Sequence, residues 1–162
     1  MSRPRQISVI GAAQGEDEIL SDAEEVGRRI AEAGAVLVCG GRTGVMEAAS
    51  RGASEAGGSV VGILPGVSAA EANPYVTFAV ATGIGEARNL AVVASGEAVI
   101  AVGGEWGTLS EIAHARKLGR PVVAIQSWTL RNRSGTDLGI VEAASPEEAV
   151  TTALDAAAAA QP

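Results

Sequence analysis

The sequence predicts an α/β fold: a single doubly wound domain over residues 1–162 with a mostly parallel sheet of about six or seven strands. Three observations carry that expectation. Short apolar runs recur along the chain, each bounded by glycine. Stretches with helical spacing of apolar residues alternate with them, as in successive strand–helix units. Several of the runs are near-continuous in Val, Ile, Leu and Ala rather than alternating, which is the pattern of parallel strands covered on both faces.

Taken in order, QISVI (6–10) reads as the first strand and stops at Gly11. A helix over 20–33 follows, with Ser21 and Glu24 at capping-box spacing. AVLVC (35–39) is the second strand, and the helix after it spans 44–57. SVVGIL (59–64) and VTFAV (76–80) supply two more strands before a helix over 85–95. EAVIAV (97–102) leads through a glycine-rich loop into a helix over 108–118, where Thr108 and Glu111 again have the capping-box spacing. PVVAI (121–125) is a strand and GIVEA (139–143) a weaker one. The last helix, 146–159, has Ser145 and Glu148 as its box and Pro146 at the first helical position. The tail DAAAAAQP reads as a fraying helix end.

Composition narrows the function. The net charge of −7 and the 2% aromatic content leave neither the basic footprint nor the stacking platforms of a nucleic-acid surface. No apolar run approaches the roughly 20 residues that span a bilayer, and Ile7–Ile10 is too short for a signal-peptide core. The single Cys39 excludes an internal disulfide and fits a reducing compartment, so the expectation is a cytoplasmic protein with no membrane partner. Eleven of the twelve basic residues are arginine, the lone lysine being Lys117. Local arginines can still hold a small anion within an acidic chain.

In doubly wound sheets, ligands sit beyond the carboxyl ends of the strands at the topological switch point. Four glycine-marked segments fall at such ends and are expected to converge on one rim. The first, GAAQGEDE, lacks a dinucleotide fingerprint and places three acids next to the loop, so it reads as a turn and an acidic helix start. In the second, Gly40, Gly41, Arg42 and Thr43 bring an arginine beside bare backbone amides, which suits an anion; a tight turn with a solvated arginine is the plain alternative. The third, with Gly83 and Gly85, carries Arg88 in the first turn of a helix, where the macrodipole disfavours a cation. A residue so placed needs another partner, a carboxylate or a bound anion. The fourth holds Gly103, Gly104, Glu105, Trp106, Gly107 and Thr108, with Glu111 one turn into the helix. Capping alone accounts for Thr108 and Glu111, while a phosphate on the first-turn amides would let Glu111 reach a sugar ring. Trp106 is either a wall for an aromatic ring or a packed aromatic.

Other chemistries lack their residues. One histidine, His114, and one cysteine make no first-row metal cluster, so no metal site is expected. No Ser-His-Asp arrangement and no Walker lysine is present.

The glycine loops together resemble a known family. GGRTGVMEAAS, VVGILPG, NPY, TGIGEARN and GGEWGTLSE are similar, over nearly the whole chain, to the LOG-like Rossmann superfamily. The nearer likeness is to its molybdenum cofactor carrier branch, whose loop wording GGGxGTLSE, NPY and TGxGxARN this chain follows. The more distant branch comprises phosphoribohydrolases that cleave the N-glycosidic bond of nucleoside 5′-monophosphates, with the signature PGGxGTxxE and an upstream arginine. Gly107, Thr108, Glu111 and Arg88 match that signature; Gly103 replaces its proline and Glu105 its second glycine. Asn89 follows Arg88 where that branch has lysine. Members are often labelled lysine decarboxylases, but Lys117, near the far end of its helix, is poorly placed for a pyridoxal Schiff base. The resemblance implies a homo-oligomer, a homodimer or larger, and a small phosphorylated ligand, either a nucleotide or a pterin. The molybdenum cofactor is then a carried ligand, and no cofactor is needed for folding.

Two main readings follow. As a binding module, the protein holds a phosphate on the amides of Gly104, Trp106, Gly107 and Thr108, with Gly40, Gly41, Arg42 and Thr43 facing it and the ring along the segment of Gly83 and Gly85. As a hydrolase, it uses Glu111 to stabilise an oxocarbenium-like ribose and Arg88 to hold Glu111 or the phosphate. A nucleotide-sensing scaffold with an eroded site is the third, since a Glu105 carboxylate in the loop repels a dianion unless it points away or pairs with Arg42 or Arg88. The Ala-rich helices 44–57 and 85–95 are the expected dimer faces.

Overall fold

A computed structural model of the chain describes residues 3–160. Seven parallel strands form one sheet: β1 (Gln6–Ile10), β2 (Val36–Cys39), β3 (Val60–Leu64), β4 (Phe78–Ala81), β5 (Ala98–Val102), β6 (Val122–Ile125) and β7 (Ile140–Glu142). Their spatial order is β4-β3-β2-β1-β5-β6-β7, so the chain winds outward one way from β1, then returns to start the other half at β5. That reversal leaves a crevice beyond the ends of β1 and β5, the switch point where open sheets bind ligands.

Five helices cover the sheet: α1 (Asp17–Glu32), α2 (Val45–Glu55), α3 (Arg88–Ser95), α4 (Trp106–Lys117) and α5 (Pro146–Ala159). Alternate residues of the central strands explain the two layers. Ile7, Val9, Leu37, Ile100 and Val102 join a core with α1, α2 and α5, while Ile10, Val38, Val99 and Ala101 face Val92, Val93, Ile112 and Ala115 of α3 and α4. All five residues of β5 are buried, as its continuous apolar run requires. β4 departs from this pattern, for it is an edge strand exposed at all four positions.

α1 and α2 approach unusually closely. A Cβ on Gly27 would lie 1.9 Å from the Ala49 carbonyl oxygen, and one on Gly52 would lie 1.9 Å from that of Glu24. The apolar face of α2 (Val45, Met46, Ala48, Ala49, Ala53) is therefore spent inside the protomer, which corrects its expected role as a dimer face.

The helix starts also differ from expectation. α1 begins at Asp17, with Asp17 and Glu18 in its first turn favoured by the macrodipole, and Ser21 lies inside the helix rather than at its cap. α4 begins at Trp106, and its N-cap residue Glu105 makes no side-chain cap bond. Only the third of these serines and threonines caps its helix: Ser145 Oγ accepts from Glu148 N at 3.1 Å, while Glu148 Oε2 accepts from Ala144 N, one residue before the cap, at 2.8 Å. α5 runs to Ala159, and the last two residues of the alanine-rich tail lie outside the described residues, as do Met1 and Ser2.

Candidate functional site

The loops after β1 and β5 and the segment entering α3 enclose a cleft of about 290 Å³ at the switch point. Gly11, Ala12 and Ala13 form one wall, Glu105, Gly107, Thr108 and Glu111 another, and Gly40, Met46, Glu86, Arg88 and Asn89 the remainder. Arg88, Glu111 and Thr108, which lie on two different helices, are thus brought together.

Each of the three is buried, and two of them, Arg88 and Thr108, keep a buried side-chain atom without a partner. Arg88 is 9% exposed and donates one hydrogen bond, from Nη1 to the Ile63 carbonyl at 3.1 Å. A guanidinium has five donors, and Arg88 Nε is buried without a partner. Thr108, 2% exposed, has a buried and unpartnered Oγ1. Among the described residues only four buried side-chain polar atoms lack a partner, and two of them belong to this cleft. Such groups cost roughly 1–3 kcal/mol each when left unmade, so their clustering points to an acceptor from outside.

Glu111 does not supply it. Burial pushes its carboxyl up to about 7, against the opposing pull of the Arg88 charge. Burial likewise pulls the Arg88 guanidinium down, with the Glu111 carboxylate opposing. The two act on each other through space, without a hydrogen bond between them. The capping account of Thr108 and Glu111 fails, because both lie within α4 and the helix start is left uncapped. The first-turn N–H groups of Trp106, Gly107 and Thr108 have no acceptor four residues back. A Cβ on Gly107 would meet nothing within 4 Å, so open space stands over this turn.

The other sequence candidates sit further out. Of the second segment only Gly40 reaches the cleft, and a Cβ there would lie 1.9 Å from Arg88 Nη1. Arg42 is exposed and pairs with Glu71 at 3.6 Å. Thr43 Oγ1 donates to the Ala13 carbonyl at 3.0 Å and Val45 N to that of Ala12 at 3.0 Å, so this loop braces the first one. Gly41 has φ 72° and donates from N to Cys39 Sγ at 3.3 Å. Gly83 and Gly85, exposed and at φ 66° and 61°, bond back to Gly66 and Pro65 and shape the approach to Arg88. Gly103 and Gly104, with φ 57° and 129°, turn the chain from β5 into α4. Glu105 lines the cleft but pairs with neither Arg42 nor Arg88. Cys39 is buried, and burial pushes its thiol up.

Sequence reasoning brought the segment of Gly11, Ala12 and Ala13 to the rim but gave these residues no part in the site, since residues without functional groups carry no chemical signal. Glu86, Asn89 and Met46 were also missed, although the first two lie within TGIGEARN. Trp106 is 76% exposed and stacks on Trp128, ring centres 5.3 Å apart and planes tilted by 37°.

Comparison with known proteins gives the chain a family and agrees with its fold. The SLOG cluster4 family model matches residues 4–150. An uncharacterized protein of Archaeoglobus fulgidus is 46% identical over 121 residues, covering 75% of this chain and 80% of that one. In structure the chain is similar to the molybdenum cofactor binding protein from Rippkaea orientalis, with TM-score 0.86, 36% identity and coverage of 96% and 98%. It is likewise similar to the molybdenum cofactor carrier protein of Chlamydomonas reinhardtii, with TM-score 0.84, 34% identity and coverage of 96% and 99%. Among the described residues no helix is long and apolar enough to cross a membrane.

Proposed function

The chain belongs to the SLOG cluster4 family, and we propose that it binds and carries a small phosphorylated ligand of the molybdopterin type. The observation that carries this reading is the pair of unpartnered buried groups, Arg88 Nε and Thr108 Oγ1, beside the uncapped start of α4. A phosphate completes all three at once: it accepts from the guanidinium, from the hydroxyl and from first-turn amides, at the positive end of the helix. The likeness to molybdenum cofactor carrier proteins supports the choice of a pterin over other phosphorylated molecules. The cofactor would be cargo, and its metal chemistry lies outside what this chain's residues supply. The protein's part is to hold Arg88 buried beside Thr108 and the start of α4, since a charge removed from bulk water pulls more strongly on an anion.

One observation favours a second reading, hydrolysis of a nucleoside 5′-monophosphate. Glu111 is a buried carboxyl whose affinity for protons is raised into the neutral range, as a group trading protons near pH 7 requires. A single pair of assays separates the two. The protein is incubated with AMP and the products are resolved by chromatography; a phosphorylated pterin is tested for its effect on Tm. The carrier reading expects no free base and a raised Tm. Base release that vanishes in Glu111→Gln would overturn it in favour of the hydrolase.

The carrier also assembles with copies of itself under this reading, through β4 rather than α2. Phe78 and Val80 project from the edge strand at 60% and 47% exposure, with Val67 and Ile84 also bare. Such an edge invites another chain. The net charge of −7 supports a small-molecule partner over nucleic acid.

A further inference from the structure

A second cleft of about 540 Å³ adjoins the first and shares Glu86, Asn89 and Gly107 with it. Its own lining is of a different kind: the Trp106 indole, Leu90, Ala87, Ser110 and His114. Trp106 is 76% exposed, and Leu90 is 44% exposed. Large apolar side chains grouped beside a polar cleft mark surface that a ligand covers.

Trp106 also stacks on Trp128, which lies outside this cleft. The Trp128 Nε1 in turn donates to the Glu105 carbonyl at 3.2 Å, the residue just before Trp106. The indole thus has one ring contact within the protein, on Trp128, and is otherwise exposed beside the cleft. Two turns further along the same helix, His114 Nδ1 lies 3.0 Å from the Ser110 carbonyl. A carbonyl only accepts, so Nδ1 carries the proton and Nε2 of the neutral ring is left to accept.

From this juxtaposition we infer that Trp106 is the platform for the planar heterocycle of the ligand. The ring lies on the indole with Asn89, Ser110 and His114 at its edge, and the phosphate extends past Gly107 to Arg88 and Thr108. This rests on the phosphate-binding reading and adds the ligand's other half: a flat, hydrogen-bonding ring system, as in a pterin or purine. Gly107 is the joint between the two halves, since any side chain there would project where the clefts meet.

The test uses two probes that differ only by the ring, guanosine 5′-monophosphate and ribose 5-phosphate, titrated by calorimetry against the intact protein. The chain has two tryptophans, so its indole emission comes from Trp106 and Trp128 alone. Guanosine 5′-monophosphate is expected to bind about ten-fold tighter than ribose 5-phosphate, toward the low end of base–aromatic stacking, and to quench that emission. Trp106→Ala lowers its affinity to that of ribose 5-phosphate measured on the same variant, and Trp106→Phe restores most of the difference. Equal affinity of the two probes, or a ring preference that survives Trp106→Ala, overturns the platform while leaving the phosphate site standing. If neither probe binds, both readings fall together.

Discussion

Two clusters of buried polar side chains lie near each other at the carboxyl end of the sheet, and they are built on opposite principles. At the end of β2, Asn73 is fully engaged: Nδ2 donates to the Arg42 carbonyl at 2.9 Å, Oδ1 accepts from Tyr75 N at 3.1 Å, and its own N–H donates to the Gly41 carbonyl at 2.8 Å. Ser50 Oγ beside it donates to the Met46 carbonyl at 2.7 Å, and Cys39 Sγ lies 3.4 Å from the same hydroxyl. At the end of β5, Arg88 and Thr108 are equally buried and mostly unbonded, and Glu111 faces them without a hydrogen bond to either. The first cluster holds a loop; the second is unfinished. A protein that satisfies one set and neglects another of the same depth is accepting instability where a ligand is to complete the structure.

The comparison can be broken from the finished side first. Asn73→Ala removes three side-chain hydrogen bonds, to the Arg42 carbonyl, Ser50 Oγ and Tyr75 N–H, so stability should fall by roughly 2–4 kcal/mol in urea denaturation. The loop carrying Gly40 and Thr43 loosens with it. A loss under about 0.5 kcal/mol would place Asn73 outside the framework.

On the unfinished side the sign reverses. Glu111 takes up its proton at about 7 when folded, against an ordinary value of 4.5. Between those values the native state binds more protons than the unfolded one, so stability falls as pH rises through that window and stays lowered above it. Glu111→Gln removes the loss. It should gain on the order of 2–3 kcal/mol above pH 7 and nothing below pH 4.5, read from denaturation across pH 4 to 9. A destabilised Gln variant at pH 8 would mean that the carboxylate is held by contacts absent from this account.

Gly40→Ala sharpens the contrast without touching a polar group. The added methyl would meet Arg88 Nη1 and Met46 Sδ, both ends of movable side chains. The fold should hold while ribose 5-phosphate affinity drops about ten-fold, the worth of one charge-assisted hydrogen bond. Gly107→Ala has the smallest effect on folding. Its methyl enters open space and replaces glycine within α4, so stability should rise by up to about 1 kcal/mol, with weaker binding of guanosine 5′-monophosphate as the joint between the clefts fills.

Much of this architecture was readable from residues alone. Continuous runs such as AVIAV and AVLVC identify buried parallel strands, and glycines after β2 and β5 mark the rim. Less of the site was readable. Thr108-x-x-Glu111 and Ser145-x-x-Glu148 share one spacing, yet only the second caps a helix. What separates them is burial within α4 against an exposed turn, a tertiary fact that local spacing does not encode. Arg42 looked like an anion ligand because it follows two glycines, but Glu71, distant in sequence, occupies it. Edge strand β4 reads like its interior neighbours, since nothing in VTFAV says that no strand lies beyond it.

The measurement closest to the central claim is Arg88→Met, followed by urea denaturation and by ribose 5-phosphate titration on the same preparation. Removing an under-bonded buried charge should leave stability within about 1 kcal/mol of the parent, or raise it, while affinity falls at least ten-fold. A variant that loses several kcal/mol yet binds the phosphate undiminished would show Arg88 to be a strut of the fold.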